Sequence, residues 1–453
     1  MPTDPVPALL ARATESLEAE FASLPQFRAE ADAAAIGQVL EETAHRLGDN
    51  YPYFHPFYAG QMLKPPHPLA RAAYALAMQI NPNNHARDGG RASSLMEIEA
   101  VAEIARMFGW TEFLGHLTSS GTMANLEALW VAGQVAPGRR IVGSEQAHYT
   151  HHRISAVLQL QYDSVASNSG GRMDLNALET ELRKGNVGTV VATLGTTAIG
   201  AVDPLDEILA LRSKYGFRIH VDAAYGGYFK LIPDSLDEPA RRAYAMLDQA
   251  DSIVVDPHKH GLQPYGCGCV LFRDPSVGQF YKHDSPYTYF TSKELHLGEI
   301  SLECSRAGAA AVALWATQRL LPLEAGGEFA QGLAKGRRAA LDLDRRLRLD
   351  GHFVPLAAGP PELDIVVWKL VAESAETAAR MAQKLFDACA ARSLHLALVQ
   401  LPCFWFETGG SGTASRNSCV TCLRSVLMKP EHEAWLDRIW ETLQAARREI
   451  VGE

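Results

Sequence analysis

The segment Asp251–Arg273, DSIVVDPHKHGLQPYGCGCVLFR, contains the most reactive side chain that we identify in the chain. Its apolar run leads into Asp256, His258 and Lys259, and functional groups in α/β sheets gather beyond the carboxyl ends of strands. Apolar surroundings destabilise an ammonium group, so Lys259 could serve as a Schiff-base nucleophile, with His258 donating to a phosphate. The alternative is a surface lysine at the end of a strand.

A second strand-like run, RIHVD, ends at Asp222 and is followed by small residues. A carboxylate in this place can keep a pyridine nitrogen protonated, which makes the ring an electron sink. Ala224 is small enough for a flat ring to lie against the backbone. The alternative for Asp222 is a cap of the following turn.

A glycine turn, Ser120-Gly121-Thr122, precedes a predicted helix. Free N–H groups and hydroxyls at such a helix start can bind phosphate. A plain Ser/Thr N-cap is the alternative.

Several histidines follow the strand-like run 140–143 in SEQAHYTHHR. His148 could stack on an aromatic cofactor. His151 and His152 lack clean ligand spacing and no Asp/Cys cluster joins them, so we predict no metal site and a structural or surface role for both.

The pattern from about 93 to 320 alternates between helical stretches and short β-branched runs, which predicts an α/β fold with a mostly parallel sheet covered by helices. The predicted helices are 94–108, 122–134, 150–158 and 205–215. The predicted strands are 140–143, 189–194, 218–222, 252–256 and 269–272.

Three parts are predicted along the chain. Residues 1–55 form an N-terminal arm with two amphipathic helices, 56–322 form a large α/β domain, and 323–453 form a small C-terminal α+β domain. The last part opens with a long charged helix over 323–350 and continues with strands at 364–370 and 418–427.

The composition excludes several classes of protein. The chain has 453 residues, 47% of them hydrophobic, and a formal net charge of −10, so a broad nucleic-acid-binding surface is not expected. No apolar run is long enough to cross a bilayer, and the N-terminus lacks the pattern of a secretory signal. Seven scattered cysteines are typical of a reducing compartment. We therefore expect a cytoplasmic protein without membrane or nucleic-acid partners.

The sequence resembles the group II pyridoxal-phosphate decarboxylases. It shares with them, in chain order, the Ser/Gly/Thr loop, the histidine, the strand-end aspartate and the His-Lys pair. That family includes aromatic-amino-acid, tyrosine and glutamate decarboxylases. The resemblance runs from about Pro56 to Leu320. The matching segments are NPNNHARDGGRASSLMEIEAVAEIARMFG, TSSGTMANLEAL, SEQAHYTHHR, ATLGTTAIGAVDP, HVDAAYGG and DPHKHGLQPYGCGCVLFRD.

The resemblance implies the pyridoxal-phosphate-dependent transferase fold of type I, with pyridoxal 5'-phosphate as cofactor. Lys259 would bind the cofactor covalently and Asp222 would pair with its ring nitrogen, while His148 and Ala224 would lie on the two ring faces. The other implied cofactor-binding residues are Ser120, Gly121, Thr122, Thr197, Asp256 and His258.

The resemblance also places a catalytic loop at Tyr281–Gly298, where a tyrosine would donate a proton to the substrate carbon. Tyr289 is favoured over Tyr287. Arg424 resembles a residue that meets the substrate carboxylate, with a structural salt bridge as the alternative. Asn84 and His85 are predicted to contact the substrate. The expected assembly is a homodimer, because the loop and the arm both need a partner surface.

The predicted activity is decarboxylation of an L-amino acid, with an aromatic side chain favoured. The aromatic cluster at Tyr51, Tyr53, Phe54, Phe57 and Tyr58 suits such a side chain or dimer packing. The alternatives are an acidic substrate, a carbon–carbon lyase acting on a phosphorylated amino alcohol, a decarboxylation-coupled aldehyde synthase, and a non-enzymatic binding module.

Overall fold

The computed structural model describes residues 5–25, 27, 30–282, 300–407 and 418–452. Seven strands form the larger sheet: β1 (Leu114–Thr118), β2 (Arg140–Ser144), β3 (Tyr162–Val165), β4 (Val187–Thr193), β5 (Arg218–Asp222), β6 (Ser252–Val255) and β7 (Gly268–Phe272). Their order is β1-β7-β6-β5-β4-β2-β3. The five strands from β6 to β3 run parallel, and β7 is antiparallel to both β6 and β1.

The central strands of this sheet are almost entirely buried: all seven residues of β4 are buried, and in β5 only Arg218 is half-buried. Burial on both faces explains their continuous Val, Ile and Thr content. The accompanying helices are α3 (Pro68–Met78), α4 (Arg91–Met107), α5 (Gly121–Val135), α6 (Thr150–Val157), α7 (Leu175–Arg183), α8 (Leu205–Tyr215), α9 (Glu238–Ala245) and α10 (Gly308–Leu320). The predicted mostly parallel α/β fold is thus confirmed.

A smaller antiparallel sheet lies in the C-terminal part. Its strands are β8 (Phe353–Pro355), β9 (Ile365–Leu370), β10 (Ala397–Pro402) and β11 (Cys419–Val426), in the order β10-β11-β9-β8. The helices of this part are α11 (Glu328–Asp350), α12 (Ala375–Ala390) and α13 (His432–Val451). A second core, centred on the fully buried Trp368, joins this sheet to these helices.

The N-terminal arm consists of α1 (Val6–Glu20) and α2 (Ala33–Leu47), as the helical spacing predicts. Asp32 caps α2 by accepting from the backbone N–H groups of Ala34 and Ala35. No residue of either helix is buried. The apolar side chains of α2 are exposed in the single chain, whereas Val6, Leu10 and Leu17 of α1 are half-buried.

The sequence patterns did not reveal β1, β3, β8 and β10. In β1 the residues are LGHLT, without a β-branched run, and its buried His116 is satisfied by Glu127 of α5, with 2.9 Å between Nε2 and Oε2. The helix predicted from residue 323 begins later, at Glu328, since Gly326 has a positive φ of 76°. Among the described residues no helix combines the length and apolar character needed to span a membrane.

Candidate active site

Four adjacent parallel strands end at one edge of the larger sheet, and a cavity of about 180 Å³ lies there. Parallel strands bring their carboxyl ends together, so residues that follow different strands meet at this edge. The cavity is lined by Ser120, Gly121, Thr122, Asn125, His148, Thr150, Thr193, Gly195, Thr197, Asp222, Ala224, Tyr225, Asp256, His258 and Lys259. Every residue that the sequence assigns to the cofactor is in this set.

Lys259 follows β6 and reaches the cavity beside Asp256. Its Nζ lies 3.0 Å from Asp256 Oδ2, and the Asp256 carboxylate is almost fully buried. Oδ1 of Asp256 has no hydrogen-bond partner among the described residues. Because an unsatisfied buried carboxylate oxygen is costly, this atom indicates that the site is completed by a ligand or by water.

Helix α5 begins at the cavity. Ser120 is its N-cap, with Oγ accepting from the N–H of Met123 at 3.3 Å. The N–H groups of Gly121 and Thr122, the first two residues of the helix, have no intrahelical partners by position, so they are available to an anion. A Cβ on Gly121 would lie 2.5 Å from Asp256 Oδ2, so only glycine allows the helix start to approach this carboxylate.

Asp222 ends β5 and is 4% exposed. Its Oδ2 accepts from His151 Nε2 at 2.7 Å and from Asn125 Nδ2 at 3.4 Å, and its Oδ1 accepts from the N–H of Ala224 at 3.1 Å. Burial alone would raise the pKa of Asp222, but the hydrogen bond from His151 and nearby positive charge outweigh it and hold the pKa below its usual value. The carboxylate is therefore ionised beside the cavity.

Two histidines line the cavity. His148 Nδ1 lies 2.8 Å from Thr150 Oγ1, and burial lowers the pKa of His148. His258 Nδ1 donates to the carbonyl oxygen of Cys267 at 2.7 Å. This bond leaves Nε2 of His258, 3.6 Å from Asp256 Oδ2, as the ring atom available to a ligand.

Arg424, on β11, lies behind the loop that carries Thr197. Its Nη2 donates to the Thr197 carbonyl oxygen at 2.7 Å, its Nε to that of Ala198 at 3.0 Å, and its Nη1 to Gln61 Oε1 at 2.9 Å. Burial lowers the pKa of Arg424. The structure thus brings Arg424 to the loop that borders the cavity, although its side chain does not line it.

The predicted substrate contacts Asn84 and His85 are not among the residues that line the cavity. Asn84 is fully buried, and its Nδ2 donates to Glu97 Oε2 at 2.6 Å. Arg306 donates to Glu97 Oε1 at 2.5 Å and to the Asn84 carbonyl oxygen at 3.0 Å. The Asn84 side chain is thus held in a buried network of this chain, and contact of Asn84 or His85 with a substrate stays a prediction.

The predicted proton donor Tyr289 and its alternative Tyr287 lie outside the described residues. None of the five residues of the aromatic cluster in the entry segment is among those that line the cavity. Tyr53 packs edge-on against Tyr58 at 4.8 Å between ring centroids, and Phe57 packs against Trp435 of α13 at 5.4 Å. Tyr225 is the aromatic side chain among the described residues that line the cavity.

Two residues of the site do not stand out in the sequence. Asn125 lines the cavity, and His151, for which the sequence predicts a structural or surface role, is fully buried with its ring in contact with Asp222. No local signal distinguishes His151 from His152, because the contact of His151 with Asp222 joins residues 71 positions apart. His152, by contrast, is exposed as expected.

These groups fit pyridoxal phosphate. The amine of Lys259, the anionic Asp222 and the start of α5 match the aldehyde, the ring nitrogen and the phosphate of that molecule. Oδ1 of Asp256, which has no partner in the described part of the chain, lies among them.

Comparison with known proteins gives the same assignment. Residues 50–371 match the pyridoxal-dependent decarboxylase conserved domain. An L-tyrosine decarboxylase of Enterococcus faecium is 28% identical, with 64% of this chain and 64% of that protein covered. A probable L-tyrosine/L-aspartate decarboxylase of Methanothermobacter thermautotrophicus is 29% identical, with 68% and 82% covered. The chain thus spans less than two thirds of the length of the Enterococcus relative.

The fold is also that of solved proteins. A structure of Oryza sativa TDC with PLP and tryptamine has a TM-score of 0.77 and 17% identity, and the match covers 99% of both chains. At this identity the likeness shows the fold alone. The match to the family model confirms the predicted family and the predicted cofactor. The chain belongs to the pyridoxal-dependent decarboxylases, which use pyridoxal phosphate.

Proposed function

We propose that the protein catalyses the decarboxylation of an L-amino acid with pyridoxal phosphate as cofactor. The observation that carries this proposal is the convergence of Lys259, Asp222 and the start of α5 on one cavity. The bound cofactor supplies a conjugated ring that stabilises the negative charge left on Cα when carbon dioxide departs. The residues of the chain hold that ring and set its charge.

We propose the following roles for the individual residues, and their positions around the cavity support them. Lys259 provides the amine that attaches the cofactor, and Asp256 at 3.0 Å orients this amine. Asp222 keeps a proton on the ring nitrogen, because its carboxylate is ionised. His148 and Ala224 pack on the ring, and Ser120, Gly121, Thr122 and His258 hold the phosphate.

Arg424 is the candidate contact for the substrate carboxylate. A guanidinium has five N–H donors, and three of them are used by Thr197, Ala198 and Gln61. Among the described residues, these three bonds leave one N–H on each terminal nitrogen without a partner. Both would be available to a carboxylate placed beside Thr197, and the fixed side chain would lose little entropy on binding.

An aromatic amino acid is the favoured substrate class. The support is that the relatives named above include an L-tyrosine decarboxylase. Aspartate is the second candidate, because the name of the archaeal relative includes it. We propose tyrosine as the first substrate to assay.

A homodimer is the proposed assembly. Its support is the apolar surface of the arm, where Ile36, Val39 and Leu40 of α2 are more than half exposed. Such a surface is stabilised by burial against a second copy. Sedimentation of an active species at the 49.4 kDa mass of one chain would contradict this assembly.

The activity is tested by incubating the purified protein, loaded with pyridoxal phosphate, with each of the twenty L-amino acids. Carbon dioxide release and product masses are recorded, and the Lys259→Ala variant is the control. We expect an aromatic amino acid to give carbon dioxide and the corresponding amine. Aldehyde with ammonia would indicate an aldehyde synthase, and absence of carbon dioxide from all twenty would refute the proposal.

A further inference from the structure

His151 lies on α6 directly behind the cavity and does not line it. Its side chain has no exposed surface, and its Nε2 is 2.7 Å from Asp222 Oδ2. The ring is held from two sides, since Tyr162 of β3 stacks on it with an interplanar angle of 8° and His220 of β5 meets it edge-on at 6.1 Å. A rigidly held ring gives its hydrogen bond a defined direction.

The proton positions in this region follow from the donors and acceptors. Asn125 Nδ2 is directed at Asp222 Oδ2, so its Oδ1 accepts from His220 Nε2 at 2.8 Å. His220 Nδ1 then accepts from Ser252 Oγ at 2.9 Å, which fixes the tautomer of His220. Burial lowers the pKa of His220 to about 3, in agreement with an uncharged ring.

His151 is the strongest partner of Asp222 in this network. A carboxylate only accepts, so Nε2 of His151 carries the hydrogen, and the contact from Asn125 is longer, at 3.4 Å. His151 Nδ1 is buried without a hydrogen-bond partner among the described residues. A buried nitrogen without a partner destabilises the fold, and here it occurs on a ring whose other nitrogen contacts Asp222 at the edge of the cavity.

We propose that His151 is a positioning residue for the cofactor, because its hydrogen bond fixes the Asp222 carboxylate in the orientation that holds the ring nitrogen of pyridoxal phosphate. This inference rests on the proposed function. It assigns His151 an effect transmitted through Asp222, so the effect depends on the presence of a nitrogen in the bound ring. A purely structural histidine would support any ligand of the same shape equally.

The test compares pyridoxal phosphate with its 1-deaza analogue, in which a CH group replaces the ring nitrogen. Dissociation constants are measured by absorbance titration of the apoprotein, for the wild type, His151→Leu and His151→Gln. Glutamine keeps an N–H donor for Asp222, and leucine removes it. His152→Leu, at the exposed neighbouring position, is the matched control, and thermal unfolding of each apoprotein checks the fold.

We expect His151→Leu to weaken pyridoxal phosphate binding about tenfold or more, the scale of a lost hydrogen bond to a charged group. His151→Gln should stay within about threefold of the wild type, and the analogue should bind all variants within about twofold. Equal weakening of both ligands, or no weakening of either, would overturn the inference. A wild type that fails to bind pyridoxal phosphate would instead refute the proposed function, and this inference with it.

Discussion

Two buried carboxylates, Asp222 and Glu97, have similar environments and different uses. Each is less than 5% exposed and each receives a short contact from a basic side chain, His151 Nε2 at 2.7 Å and Arg306 Nη1 at 2.5 Å. Both networks join segments that are far apart in the sequence. Burial and charge pairing therefore do not by themselves distinguish a site from a structural element.

The difference lies in what the carboxylate oxygens face. Glu97 Oε1 accepts from the N–H of Leu117 as well as from Arg306, and Oε2 accepts from Asn84, so both oxygens are used within the chain. Asp222 borders the cavity, and its Oδ1 accepts only from the N–H of Ala224 among the described residues. We call the Glu97 network closed, because both carboxylate oxygens are used within the chain, and such a network stabilises the fold. The Asp222 network is open, because it borders the cavity and is available to a ligand.

Substitution of Lys259, which lies at the same cavity as the open network, should reduce activity the most. Lys259→Ala should lower the decarboxylation rate at least roughly 1000-fold, because it removes the amine that attaches the cofactor. The thermal midpoint of the apoprotein should change little. Borohydride reduction of the wild-type holoenzyme, followed by peptide mapping, should label the peptide containing Lys259; label at the exposed Lys282 would refute the assignment.

Substitutions in the closed network around Glu97 should lower the stability of the protein and leave its turnover nearly unchanged. Arg306→Met leaves the Glu97 carboxylate buried without its charged partner, so we expect the free energy of unfolding to fall by about 3 kcal/mol. Denaturant titration measures this, and turnover per folded molecule should stay close to that of the wild type. Adding Glu97→Gln to Arg306→Met should recover part of the loss, and full additivity of the two variants would contradict the pairing.

Asp222→Asn tests the open carboxylate itself. We expect the turnover number to fall at least roughly 100-fold while the free energy of unfolding changes much less than in Arg306→Met. Because the pKa of Asp222 is held below its usual value, the carboxylate stays ionised across the neutral range. The ratio of wild-type to variant rates should therefore be constant with pH in that range, and a near-wild-type rate would show that another residue faces the ring nitrogen.

A solvent-exposed ion pair serves as the control for charge pairing without burial. Its loss should change the free energy of unfolding very little. Arg380 and Glu376 of α12 are 3.0 Å apart and more than half exposed. Arg380→Ala should lower the free energy of unfolding by less than about 0.5 kcal/mol, since solvent screens the pair. A loss as large as that of Arg306→Met would mean that burial is not the cause of the difference between the networks.

Much of the fold and site could be predicted because each motif is local. Asp222, His148 and Lys259 each follow a β-branched run, and parallel strands place their ends at one edge whatever the intervening sequence. The failures have a common cause. Strand β1 is recognisable only by its pairing with β7, and no local pattern shows the contact of Asn84 with Glu97.

The sequence alone predicts the chemical groups of this protein, their order along the chain, the alternating elements that carry them and, through the family, the cofactor. Which buried polar groups face the cavity depends on the tertiary structure. His151 and Asp222 are 71 residues apart, and their contact depends on how α6 packs against β5. Hydrogen bonds between such distant residues depend on distances of a few ångströms, which local propensity and periodicity do not encode.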